Sequence, residues 1–215
     1  MNTAVLLLLL KGATMTIRIF AVSLLCSLPL GLVVAALRMS KLWILNIPAK
    51  IFIVVLRGTP LMLQIMFIYF GPGFLPFLHF RWSDRIVAAV VALVLNYSAY
   101  FAEIFRGGIE GIPLGQSEAG KVLGLSRTQT FFIIVLPQVI KRILPPLGNE
   151  FSSLVKDTSL IHVLGITELM LVAKQQSSRL TSVGPYAVAM LMFLIINTLV
   201  SLIMGAFEKK LSYYR

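Results

Sequence analysis

Carboxylate and hydroxyl side chains stand at helical spacing close to the end of an apolar stretch of the chain. Glu150, Ser153 and Asp157 are separated by three and then four residues, so an α-helix places them on one face. Ionisable groups at membrane depth are expensive, and they commonly mark the path of a solute. Either carboxylate would suit the ammonium group of a zwitterion. Asn96, Thr158, Ser159 or free backbone N–H groups would donate to its carboxylate.

Polar side chains also interrupt two earlier apolar runs. Asn96, Tyr100 and Glu103 follow i, i+4 and i+7 spacing, and Gln64 lies midway along the preceding run. An amide that faced lipid would cost several kcal/mol, so these side chains must face protein or a cavity. Two interpretations follow. The residues line a solute path, or they form hydrogen bonds between helices, each contributing about 0.6 kcal/mol.

The composition indicates that membrane helices hold these residues. Of 215 residues, 58% are hydrophobic and 13% are charged, against about 25% charged in soluble proteins, and the mean hydropathy is +0.93. The apolar runs approach the roughly 20 residues needed to cross a bilayer. They predict an all-α protein with one membrane domain, residues 1–215, and five spans at about 13–37, 51–70, 86–105, 130–155 and 185–207.

Prolines and polar residues predict irregularities in the last third of the chain. Pro137 and the pair Pro145-Pro146 predict a kink or a break in the fourth span. The segment 156–184 is expected to be polar and irregular, with a weakly apolar middle from Leu160 to Leu171.

The basic residues predict an orientation in the membrane. The net charge is +11, and the Lys and Arg residues lie mostly at helix ends, which favours lipid headgroups over nucleic acid as their partner. With the segment between the third and fourth spans inside, twelve of the nineteen lie inside and seven outside, which predicts the N-terminus out and the C-terminus in. The outer seven are Lys11, Arg18, Arg81, Arg85, Lys156, Lys174 and Arg179.

The segment Pro113–Pro137 separates the third and fourth spans. Ser117 is predicted to cap a short helix, within about residues 115–124, that a left-handed Gly124 ends. Ser126 and Gln129 form a capping-box pattern that begins the next helix. A helix from Ser117 to Leu123 would be roughly 10 Å long. That length suits docking into a partner and is too short to cross a membrane.

Part of this segment has the residue spacing of a nucleotide-binding loop without its full set of residues. Gly115-Gln116-Ser117-Glu118-Ala119-Gly120-Lys121-Val122 has the spacing of the loop, but Val122 stands where a Ser or Thr should hold magnesium, and no strand precedes it. We therefore expect neither ATP nor Mg²⁺ on this chain. His79, His162 and Cys26 are too scattered to predict a metal site, and no nucleophile–base set appears.

The same segment resembles the EAA motif of the permease subunits of ABC importers. The resemblance rests on Glu118-Ala119-Gly120, then Gly124, a Phe at 131 or 132, and Leu136-Pro137, with Gly120 replacing the usual second Ala. Three further segments, in the expected order, are similar to signatures of the polar amino acid branch. They are Arg57-Gly58-Thr59-Pro60, Asn96-Tyr97-Ser98-Ala99-Tyr100 and Lys156-Asp157-Thr158-Ser159-Leu160.

This resemblance implies a type I importer permease in the bacterial inner membrane that crosses the membrane several times. It implies a coupling helix that enters a groove of a cytoplasmic ATPase dimer, where ATP and Mg²⁺ bind. It further implies a second permease copy or a paralogue, and an extracytoplasmic amino-acid-binding protein. The coupling residues would be Ser117, Glu118, Ala119, Gly120, Leu123 and Gly124. The substrate-binding residues would be Gln64, Asn96, Tyr97, Ser98, Glu150, Asp157, Thr158 and Ser159.

The motifs leave the transported amino acid open, since carriers of arginine, histidine, glutamine and cystine share them. A carboxylate at Glu150 would favour a cationic side chain. Three alternatives also stand at this point. Asp157 pairs structurally with Lys156 or Arg142, the chain is a secondary transporter driven by protons or sodium, or it is a membrane enzyme that acts on lipid.

Overall fold

The computed structural model describes residues 3–74 and 80–211. His79 and Arg215, one of the twelve inner cations, lie outside the described residues. The described chain is helical and contains no strand, which confirms the predicted all-α class. Its α-helices are α1 Thr3–Arg38, α2 Trp43–Gly58, α3 Leu61–Phe74, α4 Arg85–Glu110, α5 Leu114–Val122, α6 Arg127–Gln129, α7 Leu136–Asp157, α8 Leu169–Leu180 and α9 Gly184–Lys210.

Four helical stretches are long and apolar enough to cross a membrane, and the bent pair α2 and α3 would add a fifth crossing. The four are Thr3–Arg38, Arg85–Glu110, Arg127–Leu164 and Gly184–Lys210. They contain the predicted spans 13–37, 86–105, 130–155 and 185–207. The first begins ten residues earlier than predicted, because the Leu run before Lys11 continues the helix.

The second predicted span, 51–70, is not one helix. It is divided between α2 and α3, whose axes differ by 111°. Thr59 between them is extended, with φ −122° and ψ 150°. Pro60 explains this conformation, since a proline disfavours the helical region for the residue before it and has no N–H to continue a helix.

Of the kink or break predicted in the fourth span, the structure contains no break. The chain stays helical from Arg127 to Leu164, with a π-helical stretch at Thr130–Val135 and a 3-10 stretch at Thr158–Leu164. The ring of Pro137 would meet the carbonyl of Ile133 in a regular α-helix. Ile133 lies in the π-helical stretch, whose wider turn displaces that carbonyl.

The segment 156–184 is also more regular than predicted. After the 3-10 stretch, a left-handed Gly165 turns the chain, and α8 begins after Glu168, whose carboxylate accepts hydrogen bonds from the N–H groups of Met170 and Leu171 at 2.7 Å each. The sequence pattern did not reveal α8, because half of its residues are polar and its cap is a Glu.

Packing concentrates around α4. The helix α1 packs closely against it at Gly31, where an added Cβ would lie 2.8 Å from Cβ of Phe101 and 3.2 Å from the carbonyl oxygen of Ser98. Tyr97 and Phe101 of α4 are buried at the centre of the larger core cluster. A second cluster joins α1, α8 and α9 around Leu9 and Leu169. Together these contacts hold α4 and α7 side by side.

Candidate functional site

A polar cavity of ≈ 480 Å³ lies between α4, α7 and the break that separates α2 from α3. Its volume is within the range of sites for small molecules. The two helical faces singled out from the sequence therefore meet at one place. The lining residues are Thr59, Leu61, Asn96, Tyr97, Tyr100, Glu150, Ser153, Lys156 and Asp157.

The two carboxylates of the cavity are held by α7. The Tyr97 hydroxyl of α4 donates to Oδ2 of Asp157 at 2.8 Å, which orients that carboxylate. In the described part of the chain, Asp157 forms no ion pair with Lys156 or Arg142, so the structural pairing considered above is absent. The Arg142 guanidinium instead donates to the carbonyl of Gly111 at 2.6 Å. Both carboxylates thus remain available to a solute.

Gln64 and Asn96 form hydrogen bonds within the protein. The Gln64 amide donates to the Leu56 carbonyl at 2.8 Å and to the Thr59 hydroxyl at 2.7 Å. The Asn96 amide donates to Gln64 Oε1 at 2.9 Å and to the Leu56 carbonyl at 3.0 Å. These bonds satisfy carbonyl groups that the break in the helix would otherwise leave unpaired. Gln64 does not line the cavity, and both amide hydrogens of Asn96 are engaged.

Three of the predicted substrate residues lie away from the cavity wall. The Ser98 hydroxyl is buried and donates to the Leu95 carbonyl at 2.7 Å. The Thr158 hydroxyl is buried and donates to the Val155 carbonyl at 2.7 Å. Ser159 lies beyond the end of α7, in the 3-10 stretch. The sequence placed these residues next to Tyr97 and Asp157, but adjacency along a helix means a different face.

Free donors occur instead at the start of α3. The N–H groups of Leu63 and Gln64 donate to the Pro60 carbonyl at 3.0 and 3.2 Å, and those of Leu61 and Met62 have no acceptor among the described residues. Leu61 lines the cavity. A helix N-terminus with free N–H groups favours an anionic group. Thr59 and Leu61 could have been inferred from Pro60, which marks the break.

Glu103 does not reach the cavity, although it shares a helical face with Asn96 and Tyr100. Its carboxylate pairs with Arg106 at 2.6 Å, and Arg106 also pairs with Glu110 at 2.5 Å. Arg57 lies over the ring of Tyr100, 5.0 Å from its centroid. Charged groups therefore border the cavity on the side toward α5, where they are paired or stacked.

The short helix between the third and fourth spans is present as α5. Pro113 caps it, so the prediction that Ser117 is the cap is wrong, and Ser117 lies inside the helix. Gly124 is left-handed, with φ +74°, and the N–H of Leu125 donates to the Gly120 carbonyl at 3.0 Å. Both bonds of the capping box between Ser126 and Gln129 are present. Gly124 and the capping box are confirmed.

The contacts of α5 give its residues different roles. Glu118 and Ala119 are exposed, as is Leu123 just after the helix, at 72%. Gly120 is buried against Thr130, because an added Cβ would lie 2.5 Å from Cγ2 of that side chain. The Gln138 amide of α7 donates to Gln116 Oε1 at 3.1 Å. The helix α5 thus presents one face outward and rests with the other on the base of the Arg127–Leu164 stretch.

A bundle of apolar helices around a polar cavity, with the short helix α5 outside it, is typical of a membrane transport subunit. Residues 27–213 match the family described as binding-protein-dependent transport system inner membrane component, and the chain belongs to that family. It is accordingly a multi-pass permease subunit of an ABC importer in the inner membrane. ATP hydrolysis in this class takes place on a separate ATPase subunit.

Relatives and a solved structure agree with this assignment. The chain is 39% identical over 205 residues to the glutamine transport system permease protein GlnP of Escherichia coli K12, covering 95% of this chain and 93% of that protein. It is 36% identical over 208 residues to the arginine transport system permease protein ArtQ of Bacillus subtilis, covering 94% and 92%. A crystal structure of an amino acid ABC transporter with histidines has a TM-score of 0.85 at 32% identity, with 94% of each chain covered.

Proposed function

We propose that this permease subunit carries polar amino acids through the cavity between α4 and α7. The observation that carries the proposal is the meeting of Glu150, Asp157 and the free N–H groups of α3 around one ≈ 480 Å³ space. The names of the similar proteins, which refer to glutamine, arginine and histidine, support the same class of substrate.

The cavity suits the two charged ends of an amino acid. Its ammonium group would meet the carboxylates of Glu150 and Asp157, and its carboxylate would meet the N–H groups of Leu61 and Met62 at the start of α3. Such a pairing of a solute anion with the N-terminus of a broken helix is used by other transporters. Among the donors that the sequence suggests, the free backbone N–H groups are better placed than Asn96 and Thr158, because the donors of those two side chains are already engaged.

The remaining components of the transporter are proposed from the family. The exposed face of α5, with Glu118, Ala119 and Leu123, would enter a groove of a cytoplasmic ATPase dimer that holds ATP and Mg²⁺. No cofactor would bind this chain. A second permease copy or a paralogue would complete the path, and an extracytoplasmic amino-acid-binding protein would deliver the substrate. The five-span arrangement, with the N-terminus out, the C-terminus in and a type I fold over residues 1–215, is part of this proposal.

Reversal of one charge on α5 tests the coupling assignment. We expect Glu118→Arg, reconstituted in lipid with the cognate ATPase, to lose most of the ATPase stimulation by the liganded binding protein, because an exposed contact charge is inverted. The matched control is Glu208→Arg, since Glu208 is an exposed carboxylate at the end of α9. Full stimulation in Glu118→Arg would contradict the coupling role, and uptake that persists without any ATPase would favour a secondary transporter.

Neutralisation of the carboxylates tests the substrate site. We expect Asp157→Asn to reduce amino acid uptake by roughly tenfold or more, since a charge-assisted hydrogen bond contributes about 1.5–3 kcal/mol. Glu150→Gln should lower the ratio of arginine to glutamine uptake. Ser152→Ala is the control, because the Ser152 hydroxyl lies 3.3 Å from that of Ser201, away from the cavity. Unchanged uptake and unchanged selectivity in both variants would refute the site.

A further inference from the structure

A second cavity, of ≈ 810 Å³, lies at the end of the bundle opposite to α5. It is bounded by α1, Tyr69 of α3, the first turn of α4 and the turn before α8. Lys11 and Arg18 of α1 and Arg85 of α4 contribute three cations to its wall, and Asp84 is the single carboxylate among its described lining residues. The proposed transport mechanism uses none of these residues.

The cations of this cavity have little internal compensation. The Asp84 carboxylate caps α4, because its Oδ1 accepts from the N–H of Ile86 at 2.7 Å. The Arg85 guanidinium donates to the Leu164 carbonyl at 3.1 Å, which fixes its position. Lys11 and Arg18 have no carboxylate partner in the described part of the chain. The cavity therefore carries a net positive charge that calls for an anion.

The surroundings of Lys11 and Arg18 show from which side that anion must come. Exposed apolar side chains flank both cations along α1, with exposures of 60% for Leu7, 46% for Ile17 and 70% for Leu25. In a membrane protein such residues face lipid or a neighbouring membrane subunit rather than water. Lys11 and Arg18 are thus exposed on an apolar face of α1, where an ionised group requires a partner and an amphiphilic anion is favoured over a soluble one.

We propose that this cavity binds the phosphate group of an anionic phospholipid. Lys11 and Arg18 would hold the phosphate oxygens, as ammonium and guanidinium groups commonly do. The Ser83 hydroxyl lies on the same wall as a hydrogen-bond donor, and Met15 offers apolar surface to the acyl chains. The Thr14 hydroxyl donates to the Leu10 carbonyl at 3.0 Å and is not counted as a donor. Because the wall comes from four elements, the bound lipid joins α1 to α3, to the start of α4 and to the turn before α8.

The test measures lipid retention by the purified protein. The protein is extracted from vesicles of equal parts phosphatidylglycerol and phosphatidylcholine, and the bound lipid is quantified by native mass spectrometry. The variants are Arg18→Gln, the double variant Lys11→Gln/Arg18→Gln, and Arg179→Gln as control, an exposed cation that does not line the cavity. We expect the affinity for phosphatidylglycerol to fall about fivefold in the single variant and about thirtyfold in the double variant, and to stay unchanged in the control.

Two further arms separate the possible anions. Phosphatidylcholine should bind weakly to all four proteins, and 10 mM inorganic phosphate should not displace phosphatidylglycerol if the acyl chains contribute. Displacement by inorganic phosphate would show a site for a soluble anion and overturn the lipid proposal. Equal retention of phosphatidylglycerol in all variants would overturn it as well. The proposal would likewise be overturned if the variants kept the lipid affinity of the wild type but docked the binding protein more weakly.

Discussion

Polar residues inside the spans divide into two groups that the sequence alone does not distinguish. Gln64 and the amide group of Asn96 are satisfied by the protein, whereas Glu150 and Asp157 face the cavity. The spacing of these residues predicted that they share helical faces, and this is how the structure arranges them. The pairing of Gln64 with Asn96 could not be predicted, because it depends on the 111° bend between α2 and α3.

Glu168 is a fully buried carboxylate outside the candidate spans, so the stability of the fold should depend on pH through this residue. Burial raises the pKa of Glu168 to about 7, against the hydrogen bonds from Met170 and Leu171, which act to lower the pKa. The folded state therefore binds this proton more tightly than the unfolded state. The associated stability is complete below the ordinary carboxyl pKa of about 4.3 and is lost as the pH rises to about 7.

We expect Glu168→Gln to unfold at about the same temperature as the wild type at pH 4 and at a higher temperature at pH 8. At pH 8 its free energy of unfolding should exceed that of the wild type by at most about 3 kcal/mol. The amide keeps an oxygen for the cap and carries no charge. The measurement is thermal unfolding in detergent at both pH values, with Glu208→Gln as the exposed control. A difference between variant and wild type that is the same at both pH values would contradict the shifted pKa.

At the scale of the elements, the seating of α5 depends on the pair formed by Gly120 and Thr130. A Cβ on residue 120 would lie 2.5 Å from Cγ2 and 2.6 Å from Oγ1 of Thr130, too close for real atoms. This contact explains why Gly stands where the resembled motif usually has Ala, although Gly costs about 1 kcal/mol of helix propensity. The sequence indicated the departure and its cost, but not its cause.

We expect Gly120→Ala to weaken ATPase stimulation by displacing α5, and Gly120→Ala/Thr130→Ala to restore most of it, because the second change removes both clashing atoms. ATPase activity of the reconstituted complex and the amount of ATPase bound are the two readouts. Thr130→Ala alone is the control. Equal activity of Gly120→Ala and the wild type, or a double variant no better than Gly120→Ala, would show that the contact does not seat the helix.

Elements that a short-range sequence pattern marks were predicted correctly. The others depend on contacts between residues that are distant in the sequence. The capping box of Ser126 and Gln129 and the left-handed Gly124 are short-range features that a sequence shows directly. The break at Pro60 has a local cause in that proline, but the bond from Asn96 of α4 to the Leu56 carbonyl depends on tertiary contact. The uninterrupted helix through Pro145 carries no local sequence signal. The helix α8 was not predicted for a related reason. Half of its residues are polar, and it is stabilised by packing of its apolar residues against α1 and α9.

At the scale of the whole molecule, the orientation in the membrane separates two ways of counting the spans. If the bent pair α2 and α3 crosses the membrane, there are five spans and the termini lie on opposite sides. If it does not cross, there are four spans and the termini share one side. The asymmetry of Lys and Arg predicts the first arrangement, with the N-terminus outside.

We expect opposite labelling of the two ends by a membrane-impermeant maleimide. In a Cys26→Ala background, which removes the single cysteine, Thr3→Cys should react in intact cells, and Lys210→Cys should react only after permeabilisation. Ser40→Cys, in the turn after α1, controls for an inner position. Labelling of both ends in intact cells, or of neither, would favour four spans.

The π-helical stretch Thr130–Val135 has a consequence for the phase of the long helix that follows it. A π-helical turn accommodates one residue more than an α-helical turn, which changes the azimuth of every later side chain by about 100°. The azimuth of Glu150 and Asp157 relative to α5 is therefore set by a single additional residue. Deletion of one residue from this stretch would rotate both carboxylates away from the cavity. It would also withdraw Gln138 of α7 from Gln116, and so remove one of the contacts on which α5 rests. The same additional residue thus fixes both the direction of the carboxylates and the seat of α5.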